Sequence, residues 1–259
     1  MTKTDLCGDM RIDVLPNGPY KVSGGVPLVI VSIVRNEQQE AIAWKQEEVL
    51  PQKDIYMLCR CGVSHKKPYC DGSHVAAGFD GTEIANKESY DQAAERIHGS
   101  DITLYDRVDF CIGAEFCDRF GGIWGLTQVT TENCGIEDPE QAQQLVQQAH
   151  AAATEQALLC PSGRLVMHMT GEGGQDKIQE VDFDQPSIAL IEDPVYQTSA
   201  AIWVRGGIPV YSADGERYEV RNRLTLCRCG ASHNKPFCDG QHYKANFDDT
   251  LLPHGGADE

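Results

Sequence analysis

Apolar positions along the chain fall into short runs of β-branched and aromatic residues: Leu28 to Val34, Ile55 to Leu58, Ala201 to Val204, Ile208 to Ser212 and Tyr218 to Val220. Asn17-Gly18, Gly24-Gly25, Gly206-Gly207 and Asp214-Gly215 punctuate them, so they read as strands separated by turns. The pattern changes in the middle of the chain. Ser89 to Ile97 reads as a short helix, and Pro139 to Leu159 as a long one. Asp138 supplies the N-cap of the long helix, Pro139 suits its first turn, and Cys160-Pro161 ends it. Ala142, Leu145, Val146, Ala149, Ala152 and Ala153 form its apolar face. Gly171 to Asp193 carries seven carboxylates against Lys177 alone and reads as a solvated connector opening with a turn at Gly171 to Gly174.

The strand-rich regions are copies of one another. Leu58 to His74 reads LCRCGVSHKKPYCDGSH and Leu226 to His242 reads LCRCGASHNKPFCDGQH, identical at thirteen of seventeen positions. The likeness extends upstream, where Ser23-Gly-Gly-Val-Pro-Leu28 is echoed by Arg205-Gly-Gly-Ile-Pro-Val210, and downstream, where Gly78-Phe79-Asp80 is echoed by Asn246-Phe247-Asp248. About fourteen extra residues separate the Gly-Gly element from the cysteines in the first copy.

Metal-ligand chemistry is concentrated in these motifs. Cys59 and Cys61, two apart at a strand end, leave the same face, and Cys70 and His74, four apart after the helix-starting Asp71-Gly72, share another. Two such pairs facing each other describe a dinuclear centre, written again in Cys227, Cys229, Cys238 and His242. Arg60, Lys66 and Lys67, and in the second copy Arg221, Arg223, Arg228, Lys235 and Lys244, are candidates to offset the charge of the thiolates. A structural zinc held by three Cys and one His is the competing reading, although zinc favours Cys-x2-Cys knuckles over Cys-x-Cys. Asp71 and Asp239 read as helix caps, and His65 and His233 as solvent-facing loop residues.

Both motifs resemble the CDGSH iron-sulfur domain family. Ser64, Pro68, Cys70, Asp71, Gly72 and His74, then Ser232, Pro236, Cys238, Asp239, Gly240 and His242, occupy its fixed positions, and Gln241 replaces a small residue at a position that is not a ligand in the family. The resemblance implies a 2Fe-2S cluster with three Cys and one His ligands in each copy, a cap region built by the preceding strands, and an internal pseudo-dimer in a monomeric chain. The segment from Asp106 to His168 is similar to the divergent monocluster 4Fe-4S ferredoxin-like family: Cys111 and Cys117 form its Cys-x5-Cys element, and Cys160-Pro161-Ser162-Gly163 closes its helix. Cys134 fits less securely. Without it the centre is a three-iron (3Fe-4S) cluster, a four-iron (4Fe-4S) cluster with a non-cysteine fourth ligand, or no cluster. Of the eleven cysteines only Cys7 is then unassigned.

The expected fold is α+β, with two small β-rich modules at 1–85 and 196–259, a connector at 86–105, the ferredoxin-like segment at 106–170 and an acidic connector at 171–195. A formal charge of -17 excludes nucleic acid and anionic membrane as partners. The longest apolar run, Val26 to Val34, is far short of the roughly 20 residues a membrane helix needs. No basic and apolar leader opens the chain, so the thiols are expected in a reduced, cytoplasmic setting. No nucleophile-base pair, phosphate loop or dinucleotide fingerprint points to catalysis. The expectation is a multi-cluster electron carrier or redox sensor with an unidentified redox protein as partner. The alternatives are storage and transfer of clusters to apo iron-sulfur acceptors, and a structural zinc protein.

Overall fold

The computed structural model describes residues 7–51, 53–170, 176–249 and 251–252. Gly171 to Gly174, expected as a turn, lie outside the described residues. The fold is mixed α+β and rich in sheet. Its strands are β1 (Arg11–Val14), β2 (Tyr20–Ser23), β3 (Leu28–Arg35), β4 (Ala41–Leu50), β5 (Ile55–Leu58), β6 (Glu95–His98), β7 (Ile102–Asp106), β8 (Leu165–Thr170), β9 (Asp176–Gln179), β10 (Ser187–Asp193), β11 (Thr198–Arg205), β12 (Val210–Tyr211) and β13 (Arg223–Leu226). The helices are α1 (Ser73–Ala76), α2 (Tyr90–Ala93), α3 (Ile123–Thr127), α4 (Pro139–Leu159) and α5 (Gln241–Lys244). No described helix is long and apolar enough to cross a membrane.

The repeats trade a strand. One sheet runs β12-β1-β2-β5 and another β13-β11-β10-β3-β4. The Gly-Gly repeat makes β2 the counterpart of β11 and β3 that of β12. Each of β3 and β12 therefore leaves its own copy and pairs in parallel with the first strand of the other: β3 with β10, with Leu28 opposite Ile188, and β12 with β1, with Val210 opposite Ile12. The two sheets share a core containing Ile12, Val22 and Leu58 from one and Leu28, Leu190 and Leu226 from the other. The extra residues of the first copy lengthen β3 and add β4, which pairs antiparallel with it.

A third sheet, β6-β7-β8-β9, belongs to the middle segment. Against it α3 and α4 bury a separate core of Ile102, Leu104, Ile123, Ala153, Leu165 and Met167. Ile112, Ala114 and Phe116 from the loop after β7 cover the outer face of the second sheet, packing on Val31, Ala189 and Trp203. That second cover explains why β3 reads as a continuous apolar run and why Ile188 to Ile191 of β10 are all apolar: both strands are buried on both faces.

Several local readings change. Ser187–Asp193 is not part of a solvated connector but the wholly buried β10. Its two carboxylates are neutralised by arginines, Glu192 by Arg228 and Asp193 by Arg35. Ser89 to Ile97 forms one helical turn, α2, and then strand β6, because pairing with β7 outweighs local helix preference. The run Ile208 to Ser212 keeps only Val210–Tyr211 as strand, and Tyr218 to Val220 forms none, although the Tyr218 amide still donates to Val210 O at 2.9 Å. Helix α4 begins and ends where expected, and Asp138 accepts a hydrogen bond from Gln141 N at 2.9 Å. Its buried face is turned slightly, including His150, Gln156 and Ala157 and leaving Leu145 at the surface.

Candidate metal centres

Each motif begins where a strand ends and its chain doubles back on itself. In the first, Cys59 N donates to Pro68 O at 2.8 Å and Cys70 N donates to Met57 O at 2.9 Å. In the second, Cys227 N donates to Pro236 O at 2.8 Å and Cys238 N to Thr225 O at 3.0 Å. These bonds hold the two arms of each hairpin at a fixed separation. The Ser64 hydroxyl donates to Tyr69 O at 2.7 Å while accepting from Lys66 N, and Ser232 does the same with Phe237 and Asn234.

Asp71 and Asp239 lock the short helices to the loops. Asp71 Oδ1 accepts from Ser73 N at 3.0 Å and Oδ2 accepts from His65 N at 2.8 Å; Asp239 accepts likewise from Gln241 N and His233 N. The glycines at 72 and 240 occupy the N-cap positions, so each aspartate acts one residue before the cap. His65 and His233 lie in the solvent as expected.

The ligand candidates come together in twos. Cys59 Sγ lies 3.6 Å from Cys61 Sγ, and Cys70 Sγ lies 3.4 Å from His74 Nδ1. In the second motif the Cys227 and Cys229 sulfurs are 3.9 Å apart, and Cys238 Sγ is 3.4 Å from His242 Nδ1. Among the described residues no three His, Cys, Asp or Glu side chains converge tightly enough to hold one ion.

The two sites differ in burial. Cys227, Cys238 and His242 are sealed, and His242 Nε2 has no hydrogen-bond partner among the described residues. Cys59 alone is buried in the first site, where Cys61, Cys70 and His74 reach the surface. Burial pushes the Cys61 thiol up to about 11 and raises that of Cys238, while it lowers His242 to about 4 and so keeps its imidazole neutral. Cys227 is drawn down to about 7, chiefly by its hydrogen bond with Cys229, whose own thiol is raised by the same bond. Desolvated thiols beside a neutral imidazole give a donor set whose thiolates need a cation's charge, which fits an iron-bearing group.

Sequence reasoning passed over the residues that bring the two motifs together. Gly62 and Gly230 have φ near 80° (+79° and +81°), and a Cβ on Gly62 would stand 2.4 Å from Cys229 O while one on Gly230 would stand 2.6 Å from Cys61 O. The Cys-x-Cys-Gly turns therefore abut reciprocally. The signal was present in both motifs as the glycine after the second cysteine. Tyr20, from the first copy, donates its hydroxyl to both Cys227 O and Pro236 O, at 2.9 and 3.0 Å.

Charge compensation by the basic residues is not what the structure displays at three of them. Arg60 is buried and donates to Gly18 O and Gly81 O. Arg228 is buried against Glu192 and Asp249. Arg223 reaches the end of α4, where its Nη1 donates to the carbonyls of Ala157, Leu158 and Cys160 at 2.7, 2.9 and 2.6 Å.

In the middle segment Cys111, Cys117 and Cys160 line one small apolar cavity with Ile112, Phe116 and Leu165. Burial pushes the Cys117 thiol up to about 12. Cys134 is not in its lining; it lies in the turn after α3, where its thiol donates to Thr131 O at 3.5 Å. The cavity adjoins the second motif: Tyr243 donates its hydroxyl to Gly113 O at 3.2 Å, and Gly240 sits against Cys111 O and Ile112. Cys7 is buried and donates to Gly206 O.

Residues 17–75 and 200–243 match the family described as the iron-binding zinc finger of CDGSH type. The match covers both motifs and supports iron-sulfur or other metal binding by each. No curated protein and no solved structure matches the chain.

Proposed function

Two regions of this chain are CDGSH-type iron-binding domains, and on that premise we propose that it is an iron-sulfur protein that carries single electrons. Cys59, Cys61, Cys70 and His74 hold one 2Fe-2S cluster, and Cys227, Cys229, Cys238 and His242 hold a second. The observation that carries this reading is the pairing of donors, sulfur with sulfur at 3.6 and 3.9 Å and sulfur with imidazole at 3.4 Å in both motifs. A single zinc would gather all four donors around one point. Two pairs suit two metals. When bound, such a cluster supplies one-electron redox chemistry at a potential raised by its histidine ligand.

The chain's own contribution is to fix each pair, bury Cys227, Cys238 and His242 of the second site and hold the motifs back to back. The exchange of β3 and β12 supports an internal pseudo-dimer, in which one polypeptide does the work of two copies. We assign the middle cavity three ligands, Cys111, Cys117 and Cys160, for a 3Fe-4S cluster or a 4Fe-4S cluster with a fourth ligand other than Cys134. Its contact with α5 makes the second CDGSH site its neighbour, an arrangement suited to passing electrons onward to a redox partner.

One observation favours a second role for the first site. Its His74, Cys70 and Cys61 are within reach of solvent, whereas in the second site Cys229 alone is. Release of a cluster to an apo acceptor would therefore proceed from the first motif.

Iron and acid-labile sulfide counts, with EPR, on anaerobically purified protein test these assignments. Four irons per chain mean two filled CDGSH sites, seven add a three-iron centre and eight a four-iron centre. A colourless protein with stoichiometric zinc refutes the proposal. Mixing with an apo-ferredoxin tests transfer, which should remove two irons and leave the second site loaded.

A further inference from the structure

A second cavity lies where the middle segment meets the second copy, and neither motif uses it. Phe110, Tyr218, Leu224 and Phe237 line it together with Arg221 and the exposed Asn86. The rings of Phe110 and Tyr218 pack on Phe237 with centroids 5.0 and 5.1 Å away, giving the cavity an aromatic wall. Most charges around it are already matched. Glu216 pairs with Lys87, Glu88 accepts from Asn86, and Arg107 pairs with Asp109.

Arg217, also in the lining, is exposed to solvent, and Arg221 is the buried exception. Its guanidinium stacks 3.9 Å over the Tyr90 ring and its Nη2 donates to Gly163 O at 2.6 Å, but Nη1 is sealed from solvent with no hydrogen-bond partner among the described residues. The two acids that act on it are engaged elsewhere: Glu219 accepts from Tyr90 N at 2.7 Å, and Glu180 pairs with Arg223 at 2.9 Å. Burial accordingly lowers its pKa. A desolvated guanidinium with an unused donor is costly unless an anion completes it, and one carboxylate oxygen can accept from Nη1.

We propose that this cavity binds a small aromatic carboxylate, its ring against Phe110 and Phe237 and its carboxylate on Arg221. The occupant would lie beside Ser162, whose Oγ is 3.5 Å from Cys160 Sγ, and beside the residue preceding Cys238, between the second and middle metal sites.

Calorimetric titration of the anaerobically purified full chain with benzoate tests this, with benzyl alcohol and inorganic phosphate as separate probes. One saturable benzoate site is expected, with benzyl alcohol and phosphate each weaker by about tenfold or more. Arg221→Gln should weaken benzoate by about tenfold. Asn86→Trp, a substitution at an exposed position, should block binding of benzoate by filling the opening. Absence of saturable benzoate binding, phosphate binding as tightly as benzoate, or benzoate affinity unchanged in Arg221→Gln overturns the proposal. If Arg221→Gln does not give a cooperative melt, Asn86→Trp decides, because unchanged binding in that variant also overturns it.

Discussion

Arg223→Met should loosen the end of α4, and the structure sets the size of the effect. Arg223 projects from β13 with a fully buried side chain, donating to Ala157 O, Leu158 O and Cys160 O through Nη1, to Leu165 O through Nη2 at 3.3 Å, and to Glu180 through Nε at 2.9 Å. A helix end leaves its last carbonyls without intrahelical partners, and a cation there also meets the negative end of the helix dipole. Methionine fills the space of the stem but removes a donor from four carbonyls and one carboxylate. Ala157 O and Cys160 O keep the backbone donors Cys160 N and Gly163 N, and Glu180 keeps Asn222 Nδ2, so Leu158 O and Leu165 O lose most. At about 1 kcal/mol for each of the two acceptors left dry, and a similar amount for Glu180, which is partly open to water and keeps Asn222, the loss comes to about 3 kcal/mol, the low end of the range for breaking a buried ion pair. Hydrogen-deuterium exchange of the anaerobically purified protein reads this locally. Amides in the last two turns of α4 should exchange about 100-fold faster or more, since 1.4 kcal/mol is a factor of ten. Arg223→Lys, which keeps a charge but not the fork, should fall between. Exchange within about fivefold of wild type in Arg223→Met would refute the clamp. The strand pairings make Ile55 the repeat counterpart of Arg223; it is 49% exposed, and Ile55→Ala should leave exchange in α5 and α1 unchanged.

Gly62→Ala should separate the two motifs, because a left-handed φ costs a non-glycine residue about 1–2 kcal/mol and the new methyl meets Cys229 O; weakened magnetic coupling between the reduced CDGSH clusters in EPR checks it, and unchanged coupling with unchanged stability counts against it. On acidification the visible absorbance should decay in two steps, the first site, whose His74 reaches solvent, preceding the second, whose His242 is buried; a single step would contradict the difference in burial. In the metal-free chain His242 adds its own pH dependence. The unfolded chain binds a proton below about 6.5 and the folded one refuses it until about 4, so stability present above 6.5 is lost with falling pH at about 1.4 kcal/mol per unit; urea midpoints of wild type and His242→Asn should diverge in slope over that window. Cys134→Ser should retain all the iron of the middle site, whereas Cys111→Ser and Cys160→Ser should lose it.

Both metal-binding motifs were legible in the sequence because their chemistry is local. Two cysteines two apart just past a strand end, and a cysteine and histidine four apart around a helix start, mark the ligand pairs by spacing, and the repeat of seventeen residues fixes them twice. Periodicity does not place them, because Cys70 and Cys238 precede α1 and α5 and are held by hairpin bonds to Met57 O and Thr225 O. Helix α4 was legible for the same reason: cap, first-turn proline and terminating Cys-Pro all act within a few residues of where they stand. What lay beyond the sequence is long-range. The parallel pairing of β3 with β10 joins residues about 160 positions apart, and no local preference encodes it. A cluster of carboxylates in sequence looks solvated until Arg35 and Arg228 arrive from distant segments to neutralise Asp193 and Glu192, so the burial of β10 was decided by tertiary partners. Arginines beside the cysteines read as counter-charge, yet Arg60 and Arg223 spend their hydrogen bonds on carbonyls that only folding brings near. The unequal burial of two nearly identical motifs has the same origin. Their sequences specify the same ligands, and it is the middle segment, packing Gly113 and Cys111 against α5, that covers one of them and leaves the other open.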